Sequence, residues 1–303
     1  MAPARRKSEV NVDVALRLLV LGYAFINFAA ASMGPLGVVL LSGAICGQAG
    51  FLAIWAALGP FRLWVRWLLV LLAGFGLYFV FCLGMVASVP GFTMNDEFAE
   101  MAVGSLFIPL LLLSAQFPLW IRRTLGGWQI VLADEASRHS ATEARQFGPR
   151  HMLGLMAAFA VSLSLARVAM ETWWPPDRPA GLLAPEVWLG LAIGCVVVCL
   201  YSAACTLPCT WACFLARDKG RGCLVAVGIW LSVSFLPILI VGAFLPSGRS
   251  VPVAAMVVIF LHFAGMECVL MSSLRLLRFA GCVMIRTGRN ATPESGDGRD
   301  PVG

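Results

Sequence analysis

Between Leu18 and Phe61 the chain carries no charged side chain. A helix needs about 20 mostly apolar residues to cross a hydrocarbon core of roughly 30 Å. The uncharged run therefore holds two crossings, with a turn at Met33-Gly34-Pro35. The rest of the chain keeps this character: of its 303 residues 60% are hydrophobic and 13% charged, where soluble domains carry about 25% charged residues. Lipid is the solvent that such a composition requires. Helices satisfy their own backbone there, so the fold class is an all-α, polytopic transmembrane helical bundle.

Apolar runs predict eight spans, at about 14–32, 37–59, 67–89, 101–120, 152–170, 187–208, 222–245 and 251–274. The basic residues sort by connection. Arg5, Arg6 and Lys7 precede the first span, and Arg62 and Arg66 follow the second. Arg122, Arg123, Arg138, Arg145 and Arg150 lie between the fourth and fifth, Arg217, Lys219 and Arg221 after the sixth, and a final group after Arg275. Only Arg178 and Arg249 fall on the other side, while Arg17 and Arg167 lie within spans. The positive-inside rule then places both termini in the cytoplasm, N-in/C-in.

This divides the chain into a first four-span half (1–121), a cytoplasmic connecting segment (122–150), a second four-span half (151–278) and an amphipathic or disordered cytoplasmic tail (279–303). A connection of about 30 residues is too short for a catalytic domain of its own. Asp96, Glu97 and Glu100 make the outer connection between the third and fourth spans acidic. Trp64, Trp67, Trp120 and Trp211 are expected at the inner headgroup level, and Trp173, Trp174 and Trp188 at the outer one. The run from Val187 to Ala216 exceeds one crossing; Pro208 is expected to kink or end it, leaving Cys209 to Ala216 along the interface. Trp128 to Leu132, and Leu276 to Ile285, read as short apolar segments resting on the inner surface.

Other classes are excluded by what the sequence carries. The net charge of +6 comes from arginines at span ends, with no basic-aromatic face for nucleic acid. Ten cysteines lie mostly within spans or on the basic side, which is not a secreted disulfide framework. Arg5-Arg6-Lys7 before an apolar run ending Ala29-Ala30-Ala31-Ser32 has the form of a signal peptide; Asp13 and Arg17 interrupt it, so an uncleaved first span is expected. No phosphate-cradling glycine loop, His-Glu-x-x-His, dinucleotide fingerprint or serine elbow occurs, so no catalytic residue is assigned. Four plus four spans beginning on one side allow parallel repeats, although no internal similarity is apparent. Gly43 with Gly47, and Gly190 with Gly194, have the spacing of close helix seams.

The segment Gln146-Phe147-Gly148-Pro149-Arg150-His151-Met152-Leu153, opening a span that ends near Ala166-Arg167, resembles an element of uncharacterised polytopic inner-membrane proteins of planctomycete type. Gly47-Gln48 with Ile54-Trp55-Ala56-Ala57-Leu58-Gly59-Pro60 is similar to a second element of that group. The family has no known activity, so the resemblance implies a membrane bundle and no mechanism. Arg150 and His151 at a span entrance are expected to meet lipid headgroups, where phosphates are accessible.

Chemistry within the bilayer concentrates on few residues. Glu267 lies well inside the eighth span, and an ionisable group there costs roughly 2.5–3.5 kcal/mol on insertion scales. It is either a proton or cation site, with Arg17 as a partner, or a paired glutamate that orients helices. Arg167 either snorkels toward Glu171 or meets an anion. His262 and Met266 share a helix face and are weak candidates for a soft metal or haem, against an ordinary hydrogen-bonded core histidine. Cys195, Cys199, Cys205, Cys209 and Cys213 would form a stripe on a straight helix, of which Cys205, Cys209 and Cys213 are weak metal candidates. Free cysteine more often packs as a small hydrophobe.

The sequence thus predicts a multi-pass protein of the cytoplasmic (inner) membrane with no cofactor. Its partners are the lipid bilayer and other membrane proteins, and nucleic acid is not among them. A non-enzymatic structural or accessory module is the leading reading. A small-solute or ion transporter with Glu267 at an intramembrane site is the alternative, and a thiol- or haem-based redox protein the second alternative.

Overall fold

A computed structural model describes residues 3–29, 34–88, 94–133, 185–216, 219–244 and 253–286, with isolated helical positions between Gly154 and Val168. Over these residues the chain is nearly all helical. The first half comprises α1 (Pro3–Ala29), α2 (Gly34–Leu58), α3 (Leu63–Ser88) and α4 (Met94–Gly126), followed by strand β1 (Trp128–Leu132). In the second, α5 (Pro185–Thr210) runs on into a π-helical turn (Trp211–Leu215). Helices α6 (Lys219–Phe244) and α7 (Val253–Phe279) and strand β2 (Cys282–Arg286) complete it.

Five stretches are long and apolar enough to cross a membrane: Val10–Ala29, Val39–Leu58, Leu63–Ala87, Ile193–Leu215 and Val253–Phe279. They overlap five of the expected spans. The fourth and seventh fall within α4 and α6, and the fifth lies, isolated positions apart, outside the described residues. Leu21, Phe25, Leu68, Leu72, Leu200 and Leu224 are exposed among the described residues. An exterior this apolar is a lipid-facing one.

Helix α2, whose sequence carries no polar face, occupies the centre. From Phe51 to Leu58 every residue is buried. Its tightest neighbour is α7, and glycine makes that possible. A Cβ on Gly43 would stand 1.8 Å from the His262 carbonyl oxygen, one on Gly47 2.5 Å from that of Met266, and one on Gly265 2.2 Å from that of Leu40. Small residues on both helices thus let two backbones touch, the form of close packing that lipid favours. The expected Gly43–Gly47 seam is therefore present, whereas Gly194 faces open space among the described residues.

Polar side chains within the spans tie helices together. Gln48 donates to the Asn27 side-chain oxygen at 2.9 Å, and Asn27 donates to the Leu77 carbonyl at 3.2 Å, joining α1, α2 and α3. Ser202 of α5 donates to the Ala115 carbonyl of α4 at 2.7 Å. Ser273 donates to the Val269 carbonyl, which leaves the Tyr23 hydroxyl as the donor between α1 and α7. In hydrocarbon each such bond stands in for water that is absent.

The two halves end alike. Helix α4 stops at Gly127 (φ 63°) and α7 at Gly281 (φ 101°), each opening a five-residue strand. The glycines hold the left-handed conformation that closes helix C-termini. The strands pair antiparallel, Trp128 opposite Arg286 and Leu132 opposite Cys282. The same clamp also appears twice. Arg123 of α4 donates to the Ala57 carbonyl within Trp55-Ala56-Ala57-Leu58, and Arg278 of α7 donates to the Cys213 carbonyl within Trp211-Ala212-Cys213-Phe214. Across the halves α2 packs on α7 and α4 on α5. An internal correspondence is therefore present after all. Little of it shows in composition, because it lies in backbone carbonyls and glycine dihedrals.

Three interfacial expectations give way to pairing within the protein. Trp128–Leu132 and the end of the 276–285 segment are strands bonded to each other, with Ile130, Val131 and Cys282 buried. Cys209 to Ala216 does not lie along the surface: α5 passes through Pro208, and Cys209, Thr210, Ala212, Cys213 and Ala216 are buried. The π-helical turn absorbs the register change, closed by Ala216 N–H on the Trp211 carbonyl at 3.0 Å. Trp120 is a core residue, its indole donating to Gln116 at 3.3 Å, while Trp64 is exposed.

Candidate functional site

Helix α7 presents different chemistry on different faces. His262 lies on the α2 side. Its Nδ1 is 2.9 Å from the Ser42 hydroxyl, and its ring meets Phe263 edge-on. Met266 is buried in a cluster with Cys205 and Phe263. The two share a helix side but have separate partners, and the histidine acts as a tie between α2 and α7.

Glu267 turns the other way, toward α5 and α6. It lies about 12 Å inside the level of Arg275, at 1.5 Å per residue. With Ala226, Val227, Trp230, Ala264, Cys268, Met271 and Arg275 it lines an open groove of about 280 Å³ between α6 and α7. At the back of the groove the Cys209 thiol is 3.9 Å from a Glu267 carboxyl oxygen, and the Cys213 sulfur is 3.5 Å from the Met271 sulfur. Cys205, Cys209 and Cys213 are buried, whereas Cys195 and Cys199 are only half-buried. The expected stripe of five thiols is thus a buried set of three, with two left apart.

The wall of this region offers hydrogen bonds as well. Trp230 Nε1, the Tyr201 hydroxyl and the Ser234 hydroxyl are buried without a hydrogen-bond partner among the described residues. Trp230 and Ser234 are one turn apart on α6, and Tyr201 packs on Phe263 at 5.1 Å between ring centres. Buried polar groups are nearly always satisfied, and of these three donors Trp230 lines the groove together with Glu267. Sequence reasoning missed these three; hydroxyls and an indole in apolar runs carry no distinguishing pattern.

The remaining expected residues lie elsewhere. Arg17 pairs with Asp13 at 2.9 Å, one turn along α1, with both side chains exposed. Its ion pair is local because i,i+4 partners need no tertiary contact to meet. Arg167, Arg150 and His151 fall outside the described residues. Among the described residues no three His, Cys, Asp or Glu side chains converge as a metal-binding group.

Two further arginines that sorted only as orientation signals are structural. Arg66 is buried and donates to the Gly59 carbonyl at 2.6 Å and to the Ala57 carbonyl at 3.3 Å, where Arg123 also donates. They satisfy the last carbonyls of α2 and complement the negative end of its dipole. Burial pulls the Arg123 guanidinium down to about 10, so it remains charged at neutral pH. No family model matches the chain, nor does any curated protein or solved structure at a significant level.

Proposed function

We propose that the chain is an eight-span, N-in/C-in protein of the cytoplasmic membrane that binds or passes a small cationic solute at Glu267, with no catalytic step. The observation that carries this reading is the open groove of about 280 Å³ between α6 and α7, with a mid-span carboxylate on its wall. A carboxylate that served only to orient helices would be enclosed by them. Here it is half-buried and borders space, with Trp230 on the same groove wall. The loose resemblance to planctomycete-type inner-membrane proteins agrees with the location and adds no activity.

Carbodiimide labelling in intact membranes tests it. A water-soluble carbodiimide is expected to modify Glu267, seen as a mass shift on its peptide, and Glu267→Gln removes the shift. Proteoliposomes carrying Glu267→Gln are expected to lose cation uptake. If only an apolar carbodiimide reaches Glu267, the carboxylate does not face water. The solute reading then falls and a structural or accessory module remains.

A further inference from the structure

The thiols behind the groove are not demanded by packing. The two clamps align the second helix of each half, Trp55-Ala56-Ala57-Leu58 with Trp211-Ala212-Cys213-Phe214. In that alignment Cys205, Cys209 and Cys213 stand where the first half has Ala49, Ala53 and Ala57. Ala53 and Ala57 are fully buried against their neighbours, so a small apolar side chain suffices for this frame. Only the second half adds sulfur there, and opposite it α7 supplies Glu267 and Met271.

We propose that Cys209 and Cys213, with the thioether of Met271, bind one soft monovalent metal ion of the Cu(I) class, which enters past Glu267. This names the solute for the groove reading above and rests on it. Two sulfur ligands about 2.3 Å from one ion lie roughly 3.8–4.0 Å apart at trigonal or tetrahedral angles. Cys213 and Met271, at 3.5 Å, need only a small spread to take those places. Cys209 lies one turn earlier on the same side and reaches the ion by turning its side chain from Glu267. A thioether in the set selects a soft ion over zinc, calcium or magnesium.

Binding replaces two thiol protons, which leave through the groove, by one monovalent cation, giving a bis-thiolate–thioether complex of charge −1 beside Arg278, which donates to the Cys213 carbonyl.

Anaerobic titration of the reduced full-length protein with Cu(I) against a chromogenic Cu(I) chelator tests the site. X-ray absorption on the loaded sample reads the ligand atoms. One chelator-resistant ion per chain with sulfur neighbours is expected. Cys213→Ser and Met271→Leu should each weaken it roughly 100-fold, while Cys195→Ser and Cys199→Ser leave it unchanged. Met271→Leu nearly conserves volume, which keeps the test independent of misfolding. No retained ion, nitrogen or oxygen neighbours only, or unchanged retention in the Cys209→Ser/Cys213→Ser double variant would overturn the proposal. Water-soluble carbodiimide on the same samples separates the two readings. Labelled Glu267 without Cu(I) binding removes the metal and keeps the groove; unlabelled Glu267 without Cu(I) binding removes both.

Discussion

A hydrogen atom in place of a methyl group decides how closely α2 and α7 approach. At Gly43 and Gly265 the obstacle to a Cβ is a backbone carbonyl, which cannot swing aside as a side chain would. Gly43→Ala and Gly265→Ala are therefore expected to lower stability by about 1–3 kcal/mol or more, the range of forced overpacking. Gly194→Ala and Gly228→Ala, with open space around them among the described residues, should be neutral or stabilising by up to about 1 kcal/mol through helix propensity. Thermal unfolding of the four variants in one detergent measures the contrast. Equal shifts at all four positions would mean that the seam is not closed in solution. The Gly43–Gly47 spacing was readable in the sequence, yet so was Gly190–Gly194. Only the position of the neighbouring helix separates the Gly43–Gly47 seam from Gly194, which has open space around it among the described residues.

At the scale of elements, the pairing of β1 with β2 is what the sequence concealed. Five-residue apolar strands have no period long enough to distinguish them from a surface-lying helix, and their partners are about 150 residues apart. Cys282, on β2, gives the pair a reporter. It is fully buried, and burial pushes its thiol up to about 11, leaving little thiolate at neutral pH. Maleimide applied to native membranes from the cytoplasmic side should leave Cys282 unmodified, with full modification after denaturation. Val131→Pro removes a donor from the strand pair and should raise native-state labelling at least several-fold, read by mass spectrometry. Labelling of Cys282 in the unaltered protein at the rate of a free thiol would show that the strands are not joined. The π-helical turn was hidden for a related reason. Pro208 announces an interruption, but whether the helix ends or shifts register depends on what receives the residues after it, here α7.

For the whole molecule, the proposed eight-span topology predicts that the central connection and both termini share the cytoplasm. A C-terminal fluorescent fusion should mature, and an impermeant thiol reagent applied from the periplasm should fail to reach a cysteine placed at Asp134. Periplasmic labelling there would reverse the orientation and put the groove's inner end on the opposite side. The repeated arginine clamp, glycine stop and strand relate the end of α4 to the end of α7, and the two strands pair antiparallel. Composition and charge by themselves determined that this chain belongs in lipid, that it is helical, and which ends of its helices carry the arginines, because hydrophobic transfer and charge burial act residue by residue. Which helix lies at the centre, that Arg17 turns to Asp13, and that Glu267 meets sulfur beside a groove were decided only by the tertiary structure. Those outcomes depend on contacts between residues far apart in the chain, and an apolar helix presents nearly the same pattern on every face.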